Sequence, residues 1–108
     1  MKFVVVNAFS LNMLSRAGVD LAVRPINAQG VSNLLKNEQW ESAVGHEDIA
    51  AIVSAMLGRE VIYNRVDVKF DPWTMSLIVA QYTGPRLPPG STSLPDGAKI
   101  EFWQVYAI

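Results

Sequence analysis

His46 is the only histidine in the chain, and it stands in Ser42-Ala43-Val44-Gly45-His46-Glu47, directly ahead of an amphipathic stretch. Imidazole is the side chain that both gives and takes protons near neutral pH. The chain has no cysteine, and it carries no phosphate-binding glycine loop, no metal-ligand spacing and no serine nucleophile elbow. One reaction needs none of these, namely cleavage of RNA by its own 2′-hydroxyl. The nucleophile then belongs to the substrate. The protein must hold the attacking oxygen in line, give a proton to the departing 5′-oxygen and stabilise charge on the phosphorane.

Arg86 is the candidate for the phosphorane contact, because a guanidinium fork matches phosphate oxygens. It lies in Thr83-Gly84-Pro85-Arg86-Leu87-Pro88-Pro89-Gly90, where an ordinary solvated arginine would also be at home. Asn7, Ser10 and Asn12 follow the first apolar run, and ligands of open α/β sheets often sit beyond the carboxyl ends of strands. Ordinary turn chemistry accounts for the same three residues. Arg65 and Lys69 alternate along one extended segment, as phosphate binding or a solvated edge would both require. Trp40, Trp73 and Trp103 could stack on bases, although packing is the commoner use of tryptophan.

The elements that must position these side chains follow from hydrophobic patterning. Residues 2–8 form a continuous apolar run, which suits a strand covered on both faces. Val19 to Ile26 alternates as a strand with Pro25 near its end. Gln29 to Lys36 has a short helical stripe of Val31, Leu34 and Leu35. The clearest helix spans about 44–57, with Ile49, Ile52, Val53, Met56 and Leu57 on one face. Glu47 and Asp48 suit its first turn and Gly58 its C′ position, while Ser42 and Gly45 compete as N-cap. Val61 to Phe70 alternates like a strand with one wetter face. Asp71-Pro72 reads as a turn, and Met75 to Tyr82 and Ile100 to Ile108 as strands. Between these, residues 83–98 hold four of the six prolines and three of the seven glycines, which predicts a long irregular loop of the kind that carries function. The expected order is β-β-α-α-β-β-β, a single α/β sandwich domain over 1–108 with a mixed five-stranded sheet and two main helices.

Composition bounds the function. The chain has 108 residues, 50% of them hydrophobic, and a formal charge of −1. That is enough for one core, and there is no basic field for long nucleic acid. A small anion held by two or three local arginines remains compatible with it. The absence of cysteine fits a reducing cytoplasm. The N-terminus lacks the pattern of a signal peptide, and no window reaches the roughly 20 apolar residues of a membrane span.

Taken in order, the opening strand with Asn7-Ala8-Phe9-Ser10-Leu11, then Ser42-Ala43-Val44-Gly45-His46-Glu47, Asn64-Arg65-Val66 and Arg86-Leu87-Pro88 resemble the viral anti-CRISPR ring nucleases over nearly the whole chain. Members of that family occur in archaeal viruses and phages, with cellular relatives. The resemblance implies a homodimer that binds cyclic tetra-adenylate, the messenger of type III CRISPR systems, across its two-fold axis. It implies cleavage without metal or other cofactor into linear di-adenylates ending in 2′,3′-cyclic phosphate, which silences the messenger. His46 then takes the catalytic histidine position and Arg86 that of the lid arginine. Ser10, Arg65, Asn7, Asn12 and Gln81 fall at ligand-holding positions.

One departure bears on catalysis. The family's lid runs Arg-Leu-Pro-Glu-Gly, whereas this chain has Pro89 in place of the glutamate. Asp96 is the one carboxylate left in the loop. Intact His46 and Arg86 favour a nuclease, and Pro89 favours a non-catalytic sponge that sequesters the same ring. An interaction protein using its tryptophan-bearing surfaces, with no nucleotide ligand, is the third alternative.

Overall fold

The structure, a computed structural model, describes residues 1–108. Its elements are β1 (Lys2–Val6), β2 (Leu21–Ile26), α1 (Ala28–Asn37), β3 (Gln39–Ala43), α2 (Glu47–Leu57), β4 (Met75–Thr83) and β5 (Lys99–Ala107), with a 3-10 turn at Leu11–Met13. The five strands form one mixed sheet in the order β2-β5-β4-β1-β3. β1 lies parallel to both β3 and β4, while β5 is antiparallel to β4 and β2. The α/β class, the mixed five-stranded sheet and the two helices expected from the pattern are all present.

β1 is central, and its uninterrupted apolar run follows from burial on both faces. Phe3 and Val5 point to the helices, joining Val31 and Leu35 of α1, Ile49, Ile52, Val53 and Leu57 of α2, and Ile78 and Phe102 of the sheet. Val4 and Val6 point the other way, with Leu77, Val79 and Val105. That second face is covered by chain rather than helix. Phe9, Met13 and Leu14 pack on it together with Val68 and Phe70, and Phe9 meets Phe70 edge to face at 6.1 Å. Arg16 ties this cover to the 71–74 turn, bonding Asp71 at 2.9 Å and lying 4.6 Å from the centre of the Trp73 ring. The Arg16 guanidinium, and after it the Trp73 N–H, hold the Asp71 carboxyl below the ordinary aspartate range.

Two elements differ from expectation. Val61 to Phe70 is not a strand, and Gln39–Ala43 is. The order is therefore β-β-α-β-α-β-β. The 61–64 segment runs along the outer edge of β3, but side chains attach it more than a ladder does. The Ser42 hydroxyl donates to the Ile62 carbonyl at 2.6 Å, and the Asn64 amide donates to the Ser42 carbonyl at 2.8 Å. One isolated bridge pairs Val44 with Tyr63, and a second pairs Leu14 with Phe70. The chain then leaves the edge so that Val68 and Phe70 can cover the second face. β3 is short and polar because it lies at the sheet edge, where an ion pair from Lys2 to Glu41 at 3.0 Å joins it to β1.

α2 also begins later than its apolar stripe suggests. Residues 42–44 are committed to β3 and its extension, so the helix starts at Glu47 and neither Ser42 nor Gly45 caps it. The cap is His46, whose ring nitrogen Nδ1 accepts from the Ile49 N–H at 3.3 Å. At the far end Gly58 has φ +66°, the left-handed stop expected of it. Ser54, half-buried, accepts from the Val61 N–H at 2.8 Å and fixes the exit of the chain. Met56, placed on the stripe by its spacing, is 38% exposed at the margin of the helix.

Candidate functional site

The carboxyl ends of parallel β1 and β4, the N-terminus of α2 and the first residues of the 83–98 loop converge on one cavity of about 240 Å³. Its lining is Asn7, His46, Ile49, Gln81, Tyr82, Arg86 and Leu87. Four of the sequence candidates, namely Asn7, His46, Gln81 and Arg86, are thus brought together from positions spread along nearly eighty residues. No carboxylate lines the cavity. With one guanidinium, one imidazole, two carboxamides and the amino end of a helix around it, an anion is the ligand this space suits.

Each member is placed by a traceable contact. The Asn7 side-chain oxygen accepts from the Gly45 N–H at 2.9 Å, tying the end of β1 to the turn before α2. This leaves the Asn7 NH₂ group for the cavity, so Asn7 acts first on the backbone that carries His46. Because His46 Nδ1 is an acceptor, the ring proton in this arrangement resides on Nε2, the nitrogen free to face a ligand. Arg65 lies beside Gly45, where an added Cβ would approach its Cγ to 3.4 Å. It therefore flanks the turn rather than lining the cavity. Ser10 and Asn12 belong to the exposed 3-10 turn and its approach, away from the cavity lining.

The 83–98 loop is irregular, as expected, yet anchored. Leu87 is 8% exposed within the helix-side core, with Leu94 and Tyr82 packed against that core. Between the anchors, Ser91 N–H bonds the Pro88 carbonyl at 3.2 Å and Gly90 has φ +80°. Proline then glycine at the two central positions is the signature of a type II turn, and Pro89 supplies the fixed φ that turn wants. A second turn closes at Ala98 N–H to Pro95 carbonyl, 3.1 Å, with Gly97 at φ +79°. Asp96 sits in it, exposed and outside the cavity lining, so it does not replace the missing glutamate there.

Spacing did not single out Ile49, Tyr82 or Leu87 as cavity residues. Ile49 and Leu87 are apolar, so composition files them with the core, and both are indeed buried. Tyr82 had a weak signal as the aromatic residue beside Gln81 at a strand end. A larger groove of about 410 Å³, lined by Pro25, Ile26, Asn27, Met56, Phe102 and neighbours, lies along β2 and β5. Glu101 is its only titratable group, so the groove has no cation to hold an anionic ligand. No cluster of three or more His, Asp or Glu side chains is close enough to hold a metal ion, and no helix is long and apolar enough to cross a membrane.

A search of the curated proteins finds no match. Among solved structures, B116 of Sulfolobus turreted icosahedral virus superposes with a TM-score of 0.80 at 24% identity, covering 98% of this chain and 99% of that one. The likeness extends the fold described above to a viral protein of nearly the same length. The model of the STIV B116-like family matches residues 3–102, and the chain belongs to that family.

Proposed function

We propose that the protein is a metal-independent ring nuclease that cuts cyclic tetra-adenylate in the cytoplasm and so suppresses type III CRISPR signalling. The observation that carries the proposal is the cavity that gathers His46 and Arg86 with Asn7 and Gln81 and contains no carboxylate. The resemblance of its motifs to the anti-CRISPR ring nucleases supplies the substrate.

In the proposed reaction the substrate's 2′-hydroxyl attacks the adjacent phosphorus and loses its proton to solvent. The bond from phosphorus to the 5′-oxygen breaks, leaving a 2′,3′-cyclic phosphate. His46 acts as general acid in its imidazolium form. Beside the bound phosphate Nδ1 takes a proton from solvent, giving up the cap bond from the Ile49 N–H. Nε2 then gives its proton to the departing oxygen, leaving neutral imidazole, while Arg86 stabilises charge on the phosphorane. Asn7 and Gln81 hold the ring from the cavity lining and Arg65 from the turn beside it, while Ser10 and Asn12, assigned by the resemblance, would meet only the part of the ring that extends beyond the cavity. A cavity of about 240 Å³ is smaller than those that usually enclose even a drug-sized ligand, roughly 300–1,000 Å³. One copy can therefore embrace only part of a four-nucleotide ring, which supports a homodimer with one cut in each half. Labelled cyclic tetra-adenylate incubated in EDTA should yield linear di-adenylate with a cyclic phosphate, and deoxy substitution at the attacking position should stop the reaction. Loss of cleavage on chelation would sink the mechanism.

The second reading, a sponge that binds the ring without cutting it, is favoured by one observation. Pro89 builds a turn where the resembling family carries a glutamate, and no other carboxylate enters the cavity. Tight binding without products would establish the sponge. Pro89→Glu is then the first substitution to test for gain of cleavage.

A further inference from the structure

The Arg86 guanidinium makes no hydrogen bond or ion pair with the protein, and the residue is exposed. Its reach into the cavity is therefore set by the backbone that carries it. On one side of Arg86 that backbone is fixed by Leu87, whose side chain is buried in the helix-side core. On the other side, the Tyr82 hydroxyl donates to the Pro85 carbonyl, the peptide group that leads directly into Arg86. Tyr82 can serve as an anchor because its ring is half-buried against the same core and because β4 stays paired with β5 as far as Thr83 and Lys99.

Gly84 reinforces this arrangement. It has φ +147°, and an added Cβ would stand 2.7 Å from Ala98 Cβ and 3.2 Å from the Tyr82 hydroxyl oxygen. The two ends of the loop thus pass in contact directly beside that hydroxyl, and only glycine fits between them. A loop rich in proline and glycine is held at one point by a single phenol.

We infer that Tyr82 is a positioning residue, a latch on the Pro85 carbonyl that aims Arg86 at the scissile phosphate. The proposal rests on the nuclease function above for its substrate, but the latch has a signature of its own. The Arg86–Leu87 bond is a trypsin site, and trypsin needs a released, extended chain. Tyr82→Phe keeps the packed ring and removes only the hydroxyl. Trypsin should nick the variant after Arg86 several times faster than the wild type, with other sites unchanged, read by mass spectrometry. In single-turnover cleavage of cyclic tetra-adenylate, Tyr82→Phe should be slower by about tenfold to 100-fold, the scale of a small misplacement. Ring affinity should change little. In an Arg86→Ala background the same substitution should cost nothing more, because there is no guanidinium left to aim.

Equal nicking in Tyr82→Phe and wild type would overturn the latch. So would an undiminished rate loss in the Arg86→Ala background, which would make the hydroxyl a direct substrate contact. If the wild type cuts no ring, the nuclease function fails, and the proteolysis result alone then decides whether Tyr82 holds the loop.

Discussion

Asn7 and Gly45 are 38 residues apart, yet a 2.9 Å hydrogen bond from the Gly45 N–H to the Asn7 side-chain oxygen joins the end of β1 to the turn that launches α2. The residue after Gly45 is His46, so the placement of the imidazole depends on a carboxamide from another strand. Asn7→Ala leaves a partly buried N–H without its acceptor. It should cost roughly 1–3 kcal/mol of stability in chemical denaturation. Asn7→Asp retains an acceptor and should recover most of that loss, while its negative charge in the cavity weakens ring binding. An alanine variant as stable as the wild type would remove Asn7 from this positioning role.

His46 serves two purposes that substitution can separate. His46→Ala should slow single-turnover cleavage by roughly 100- to 10,000-fold and cost about 1 kcal/mol through loss of the helix cap. Asparagine is a favoured N-cap, so His46→Asn should restore the stability and leave the rate low. Wild-type cleavage by the asparagine variant would refute proton donation by His46.

The two arginines should divide binding from chemistry. Arg65 flanks Gly45, and loss of a charge-assisted phosphate contact there should weaken ring affinity by about tenfold to 100-fold. Arg86 lines the cavity itself, and Arg86→Ala should chiefly slow the chemical step, by about 100- to 1,000-fold. Titration of a non-cleavable ring alongside single-turnover rates measures both. Unchanged affinity and rate in both variants would return them to the solvated surface.

Asp71 gives the fold a defined acid dependence. Its carboxyl is held below the ordinary aspartate range by the Arg16 hydrogen bond, then by the Trp73 N–H. A folded-state value below the unfolded one means that the ionised form is favoured in the native protein. The resulting stabilisation is present above the unfolded aspartate value of about 3.9 and is lost as pH falls through the lower folded value. Asp71→Asn should therefore lower the melting temperature slightly near neutrality and lose less than the wild type on acidification. Parallel melting curves at every pH would show that the pair contributes nothing.

Much of the fold was legible where burial alone decides residue type. The apolar run of β1 announced a strand covered on both faces, and the stripe of α2 with Gly58 after it announced a helix and its stop. Proline and glycine between 83 and 98 marked the irregular loop. At the edge of the sheet that rule loses its grip. β3 is polar because Gln39 and Glu41 face water while the buried Ser42 bonds the Ile62 carbonyl, so its pattern is weak. In 61–70 Val61 packs on one core and Val68 and Phe70 on the other, while Ile62 and Val66 between them are exposed, so the alternation imitated a strand. The site divides in the same way. The chain shows one histidine, five arginines and several amides, and motif order suggests which belong together. Bringing Asn7, His46, Gln81 and Arg86 around one cavity requires β1 and β4 to lie side by side in parallel, a pairing between residues more than seventy positions apart. Local sequence carries no record of such pairing. Nor does it reveal that His46 caps its own helix or that Tyr82 reaches the Pro85 carbonyl, because each three-residue contact depends on a backbone path that the surrounding tertiary packing fixes.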